Sequence, residues 1–152
     1  MSRLIVLFAL LGITACQAQQ IQPESVQFDK EWLQLGTEQI EVELAISPEQ
    51  RAQGLMHRLN VQTGMLFIGD EVRPMAFWML NTPSALDLAY IKADWTIEQV
   101  IALKPFDQTS RPSAGPVLGA LEMPLGWFQA HGIKAGDSIK RCGKTACDKA
   151  QD

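Results

Sequence analysis

Between Gly64 and Met123 the chain is cut into short apolar runs, each closed by turn residues. Residues 64–68, 75–80, 85–91, 96–103 and 117–123 all have strand length. The breaks fall at Gly69-Asp70, Asn81-Thr82-Pro83, residues 92–94 and the Pro/Ser-rich stretch 104–116. Short apolar segments punctuated in this way read as buried strands. A strand cannot satisfy its own backbone N–H and C=O groups, so these segments must pair with one another in a sheet.

Upstream, residues 32–35, a break at Gly36-Thr37, and the alternating segment 40–46 read as a hairpin with Ile40, Val42, Leu44 and Ile46 on the core face. Ser47-Pro48-Glu49-Gln50 then supplies an N-cap serine, a proline at the first helical position and a capping-box glutamine. Behind it Ala52, Leu55, Met56 and Leu59 recur at helical spacing, which predicts an amphipathic helix over about 48–58. A second short helix is expected at about 125–131, closed by Gly132, and Gly136-Asp137 turns into a last strand at 138–141. Together these elements predict a mainly β (α+β) domain over 31–141, a compact barrel or sandwich with the longer helix packed across it. Residues 142–152 read as a polar tail.

The first fifteen residues have a different character. Arg3 is their only charged side chain, and the apolar run behind it is about ten residues, too short for a helix to span a bilayer core of about 30 Å. This is the pattern of a secretory signal peptide. Ile13-Thr14-Ala15-Cys16 resembles the bacterial lipobox, which implies cleavage before Cys16 and lipidation of that cysteine with two or three acyl chains. Several acyl chains anchor durably where one does not, so the membrane is an expected partner. Gln17 at the position after the cysteine implies, by the same resemblance in a Gram-negative cell, the periplasmic face of the outer membrane. Residues 16–30 would then be a tether. Removing residues 1–15 leaves 12 basic against 17 acidic residues, a net charge of −5 with no basic footprint for nucleic acid.

Cys142 and Cys147 are expected to form a local disulfide in an oxidising compartment. Two carboxyl groups stand out because they interrupt apolar strands: Asp87 in Leu86-Asp87-Leu88, and Glu122 in Leu121-Glu122-Met123. A buried carboxylate requires a partner. Arg51 and Arg58, seven apart on the expected helix, could supply cations, and Asn81 and Thr82 open the turn before Asp87. Such a set can bind a ligand, can perform acid–base chemistry if Asp87 and Glu122 share a cleft, or can serve structure alone. His57 and His131 belong to no triad, and no G-x-S-x-G segment occurs. Met56, Met65, Met75, Met79 and Met123, with Trp78, raise Cu(I) carriage as an alternative. They all lie in apolar runs, where Met fills cores. Nothing else in the pattern calls for a metal or a cofactor.

Several stretches resemble the prokaryotic "domain of unknown function 192" family. They are Glu43-Leu44-Ala45 with Ser47-Pro48-Glu49-Gln50-Arg51, Gly54-Leu55-Met56-His57-Arg58, Gly64-Met65-Leu66-Phe67, Phe77-Trp78-Met79-Leu80-Asn81-Thr82, Leu86-Asp87 and Gly132-Ile133-Lys134-Ala135-Gly136-Asp137. They follow in family order across residues 40–140. Leu80 stands where the family usually has Lys, and Ser84-Ala85 replaces Ile-Pro. The resemblance implies a compact, largely β domain, often exported, and carries no activity with it. The expectation is a cell-envelope lipoprotein that binds a small molecule or an envelope partner without turning it over, with Arg51, Arg58, Asn81, Thr82, Asp87 and Glu122 as candidate contacts. A carboxylate-dependent enzyme on cell-wall glycan and a periplasmic Cu(I)-binding protein are the alternatives.

Overall fold

The computed structural model describes residues 25–148; the expected signal peptide, Cys16 and the first part of the tether lie outside them. The hairpin forms, β1 (Lys30–Leu35) pairing antiparallel with β2 (Glu38–Ala45), but Ile46, expected on its core face, lies beyond β2 and is 46% exposed. A parallel step leads from β2 to β3 (Met65–Arg73), and α1 (Pro48–Gln53) makes that crossover. Next come β4 (Ala76–Phe77), β5 (Leu86–Ile91), β6 (Ile97–Leu103), β7 (Arg111–Pro112), β8 (Val117–Pro124), α2 (Trp127–Ala130) and β9 (Ile139–Gly143). Seven strands form one sheet in the order β6-β5-β8-β3-β2-β1-β9, while β4 and β7 pair separately.

The sheet curls until its two edges touch. Thr96, just before β6, bridges Ser138, just before β9, and Ile97 N–H donates to the Asp137 carbonyl at 2.8 Å. One end of the half-barrel is thereby closed, which removes exposed edge from both outer strands. The mainly β architecture is the one anticipated from the spacing of the apolar runs.

Two apolar cores lie on opposite faces of the sheet. The inner core draws side chains from all seven strands, including Leu33, Val42, Leu66, Ile91, Leu121 and Ile139, and is covered by Phe128 of α2. The outer core contains Met65, Phe67, Leu88, Tyr90, Ala120 and, from the turn after α1, Leu55. Being covered twice makes β5 buried at every position, Leu86 through Ile91, and accounts for the apolar residues on both of its faces, which Asp87 interrupts. Where β8 crosses β3 the backbones come so close that a Cβ on Gly119 would sit 2.1 Å from the Phe67 carbonyl oxygen.

Three further local expectations change. The helix expected over about 48–58 has the capping box but stops at Gln53, because Gly54 takes φ 46° and breaks the repeat. Leu59, expected on its buried stripe, is 77% exposed. The strand expected at 75–80 shrinks to β4: Met79 N–H bonds to the Asp107 carbonyl at 2.8 Å, and Asn81 adopts φ 53°, which turns the chain back. The supposed tether is also part of the domain at its end. Phe28 packs on the outer core, and Leu44 N–H donates to the Asp29 carbonyl at 2.8 Å.

Candidate functional site

Strand pairing decides what the two notable carboxyl groups can do. Asp87 lies opposite Met123, and Leu88 opposite Glu122, in the β5–β8 ladder. Side chains alternate between faces along a strand, so Asp87 points with Met123 to the inner face while Glu122 points with Leu88 to the outer one. Two carboxylates on opposite faces cannot flank one glycosidic bond, and the two-carboxylate arrangement considered from sequence is corrected accordingly.

Asp87 is committed to structure. Its Oδ2 accepts the Gly126 N–H at 2.8 Å, and the Trp127 and Phe128 amides lie close enough to lower its pKa. Burial is the larger influence and holds the pKa above the usual carboxylate value. The carboxylate thus satisfies amides at the start of α2 that would otherwise be orphaned beneath the sheet.

Glu122 has no such partners. It is 5% exposed, and no group among the described residues hydrogen-bonds to its carboxyl. Burial alone pushes its pKa up to about 8. The group lies against a cavity of about 330 Å³ on the outer face, bounded by α1, the turn after it and the 75–82 segment. Phe67, Phe77 and Trp78 supply aromatic walls, and Arg51 and Thr82 also line the space. Trp78 is 55% exposed. The volume is at the small end for ligand pockets, and an apolar lining with few polar groups is their usual chemistry.

The neighbouring cations are already engaged. Arg51 binds the Ile46 carbonyl, the Ile68 carbonyl at 3.1 Å and the Asp70 carboxylate at 2.8 Å, which ties α1 to β3. Arg58 pairs with Glu43 at 2.5 Å and stacks over Phe28, away from the cavity lining. Asn81 acts through its backbone, its carbonyl accepting the His57 N–H at 2.8 Å. Thr82 Oγ1 donates to the Leu80 carbonyl at 3.1 Å. Of the six candidates, the fold therefore brings Arg51, Thr82 and Glu122 to one cavity and leaves Arg58, Asn81 and Asp87 outside its lining.

Phe67 and Phe77 were missed by sequence reasoning as wall residues because an apolar strand residue gives no sign of facing a void. Their rings make an edge-on contact at 5.1 Å, and Phe77 contacts Tyr90 likewise at 5.8 Å. The methionines do not converge. Met56 and Met75 line the cavity, Met65 and Met79 fill the outer core, and Met123 belongs to the inner one. Cys142 and Cys147 are joined as expected.

The chain matches the family model DUF192, described as an uncharacterised ACR, over residues 31–141. It belongs to that family. A crystal structure from Sinorhizobium meliloti 1021, described provisionally as that of a transcription regulator, is 34% identical with a TM-score of 0.73, covering 78% of this chain and 98% of the other. A protein of unknown function from Novosphingobium aromaticivorans DSM 12444 is 31% identical with a TM-score of 0.66, covering 76% of this chain and 86% of the other. No functionally curated protein matches the chain. Four of the stretches that carry the family resemblance, those around Arg51, Gly54, Phe67 and Trp78, meet at the cavity above Glu122. Leu80 also lines it.

Proposed function

We propose that this chain is a lipid-anchored envelope protein whose DUF192 domain binds a small, largely apolar ligand on the outer face of its sheet without turning it over. The observation that carries the binding site is Glu122, a buried carboxyl group with no hydrogen-bond partner among the described residues, at the wall of a largely apolar cavity. No fully buried side-chain oxygen or nitrogen among the described residues lacks a partner, so the unpaired carboxyl of Glu122 opens onto the cavity, and burying it there disfavours its charged form. A bound molecule would supply the missing partner. Separation of Asp87 from Glu122 by the sheet supports a binding role over two-carboxylate chemistry.

The envelope assignment rests on the basic start, the short apolar run and Ile13-Thr14-Ala15-Cys16. Palmitate labelling of the full chain, abolished by Cys16→Ser, is the expected result; labelling that persists in the variant contradicts the anchor. For the binding role, a library of small amines, alcohols and acids is titrated against the purified full chain, with Trp78 fluorescence as reporter and Trp78→Phe as control. Saturable binding that is lost when Ala52→Phe fills the cavity supports the proposal. A library without one saturable binder overturns it.

A further inference from the structure

We infer that the occupant of this cavity is a primary ammonium compound with a compact apolar body, its cationic head placed against Glu122. The inference rests on the ligand-binding reading above and adds the charge of the ligand. Glu122 is the ionisable group of the lining left without a partner among the described residues, for Arg51 already binds two carbonyls and Asp70. An anionic ligand would bring a negative charge beside a buried carboxyl and find no free cation among the described residues of the lining. A cation removes the cost of ionising Glu122, and its N–H donors meet the two carboxylate oxygens. The body of the ligand meets Phe67, Phe77 and Trp78, and aromatic walls also favour cations over anions.

The surrounding charges agree with this sign. Strand register places Glu43, Met65, Glu122 and Leu88 in one row across β2, β3, β8 and β5. Glu43 thus lies two strand spacings from Glu122, about 10 Å, with its charge matched by Arg58. Tyr90 on β5 is close enough to Glu122 that the carboxylate raises its pKa, and its hydroxyl donates to the Arg111 carbonyl. A buried phenol is neutral at physiological pH, so neither neighbour offers a positive charge. When the ammonium enters, the Glu122 carboxyl gives its proton to the buffer and the ion pair forms, so one proton is released for each amine bound below about pH 8.

The test compares 2-phenylethylamine, 2-phenylethanol and 3-phenylpropionate on the full chain by saturation-transfer NMR. The Glu122→Gln chain, with its fold checked by circular dichroism, supplies the background. The expected result is binding of the amine at least about tenfold tighter than the alcohol, a difference of about 1.4 kcal/mol, with that preference abolished in Glu122→Gln. Calorimetry of the unmodified chain at pH 6.5, in buffers of different ionisation heat, should show release of close to one proton. An alcohol or acid that binds as tightly as the amine, or amine binding without proton release, overturns the ammonium assignment and leaves the pocket reading standing. Failure of all three probes also overturns the assignment, whereas the pocket reading falls only if the wider library fails as well.

Discussion

Asp87 and Glu122 sit one register step apart on adjacent strands and face opposite sides of the sheet. The first is held by backbone amides at the start of α2, whereas the second has no hydrogen-bond partner among the described residues and borders a largely apolar cavity. Two acidic residues with the same sequence signature, a carboxyl inside an apolar strand, therefore have separate physical roles.

Because Asp87 supports α2, Asp87→Ala should destabilise the domain by about 1–3 kcal/mol, the cost of leaving buried amides unsatisfied. Asp87→Asn, which keeps an acceptor oxygen, should lose less. Chemical denaturation of the three proteins checks the order, and ligand binding at the outer cavity should be unchanged in Asp87→Asn. A neutral effect of Asp87→Ala would contradict the structural role.

Glu122 should make stability fall with rising pH. Its folded-state pKa is raised from 4.5 to about 8, so between those values the folded carboxyl keeps its proton while the unfolded one has lost it. The stability associated with the neutral group is complete below about pH 4.5 and lost as pH climbs through about 8. Glu122→Gln removes this dependence. Its stability advantage over the parent should be small at pH 4 and grow towards pH 8, reaching about a few kcal/mol, and should show as a Tm gap that widens with pH. Parallel Tm curves across that range would refute the assignment.

Glu31 and Arg141 join β1 to β9 through a two-pronged contact, Nε to Oε1 at 2.6 Å and Nη2 to Oε2 at 2.5 Å, with Arg141 also over the Trp95 ring. Glu31 is buried, and a charge-assisted pair of this geometry holds the last strand of the sheet. Glu31→Ala should cost about 1.5–3 kcal/mol. Arg141→Lys should recover little of the contact because an ammonium cannot reproduce the fork. Urea midpoints of the two variants test this, and equal stability of Arg141→Lys and parent would count against it.

Reduction of Cys142–Cys147 should have a small and local effect. The bridge closes a loop of only a few residues, worth about 2 kcal/mol by chain entropy. Hydrogen exchange with and without reductant should differ at β9 and beyond while β5 and β8 stay protected. Loss of protection in β8 would show a wider role.

Strand positions were legible because alternation and turn residues act locally. Gly36-Thr37 makes the hairpin and Ser47-Pro48 starts α1, each by chemistry within four residues. The end of α1 was harder to read. The apolar spacing of Leu55, Met56 and Leu59 mimics a helix, yet the backbone of Gly54 has already left the repeat and the chain instead forms the rim of a cavity. The site was half legible for a similar reason. Sequence marked Glu122 and Asp87 as misfits in apolar strands, but which face each takes depends on pairing with strands tens of residues away. Arg51, Arg58 and Asn81 stand out in sequence by charge and turn position; their actual partners, Asp70, Glu43 and the His57 amide, come from the tertiary fold.

The account turns on the state of one carboxyl group, which can be observed directly. Carbon-13 NMR titration of the Glu122 side-chain carboxyl should give a midpoint near 8, well above the ordinary value of 4.5, and addition of 2-phenylethylamine should drive the resonance to its ionised position at neutral pH. A midpoint near 4.5 with no response to the amine would mean that Glu122 already has its partner, and the site proposed here would not exist.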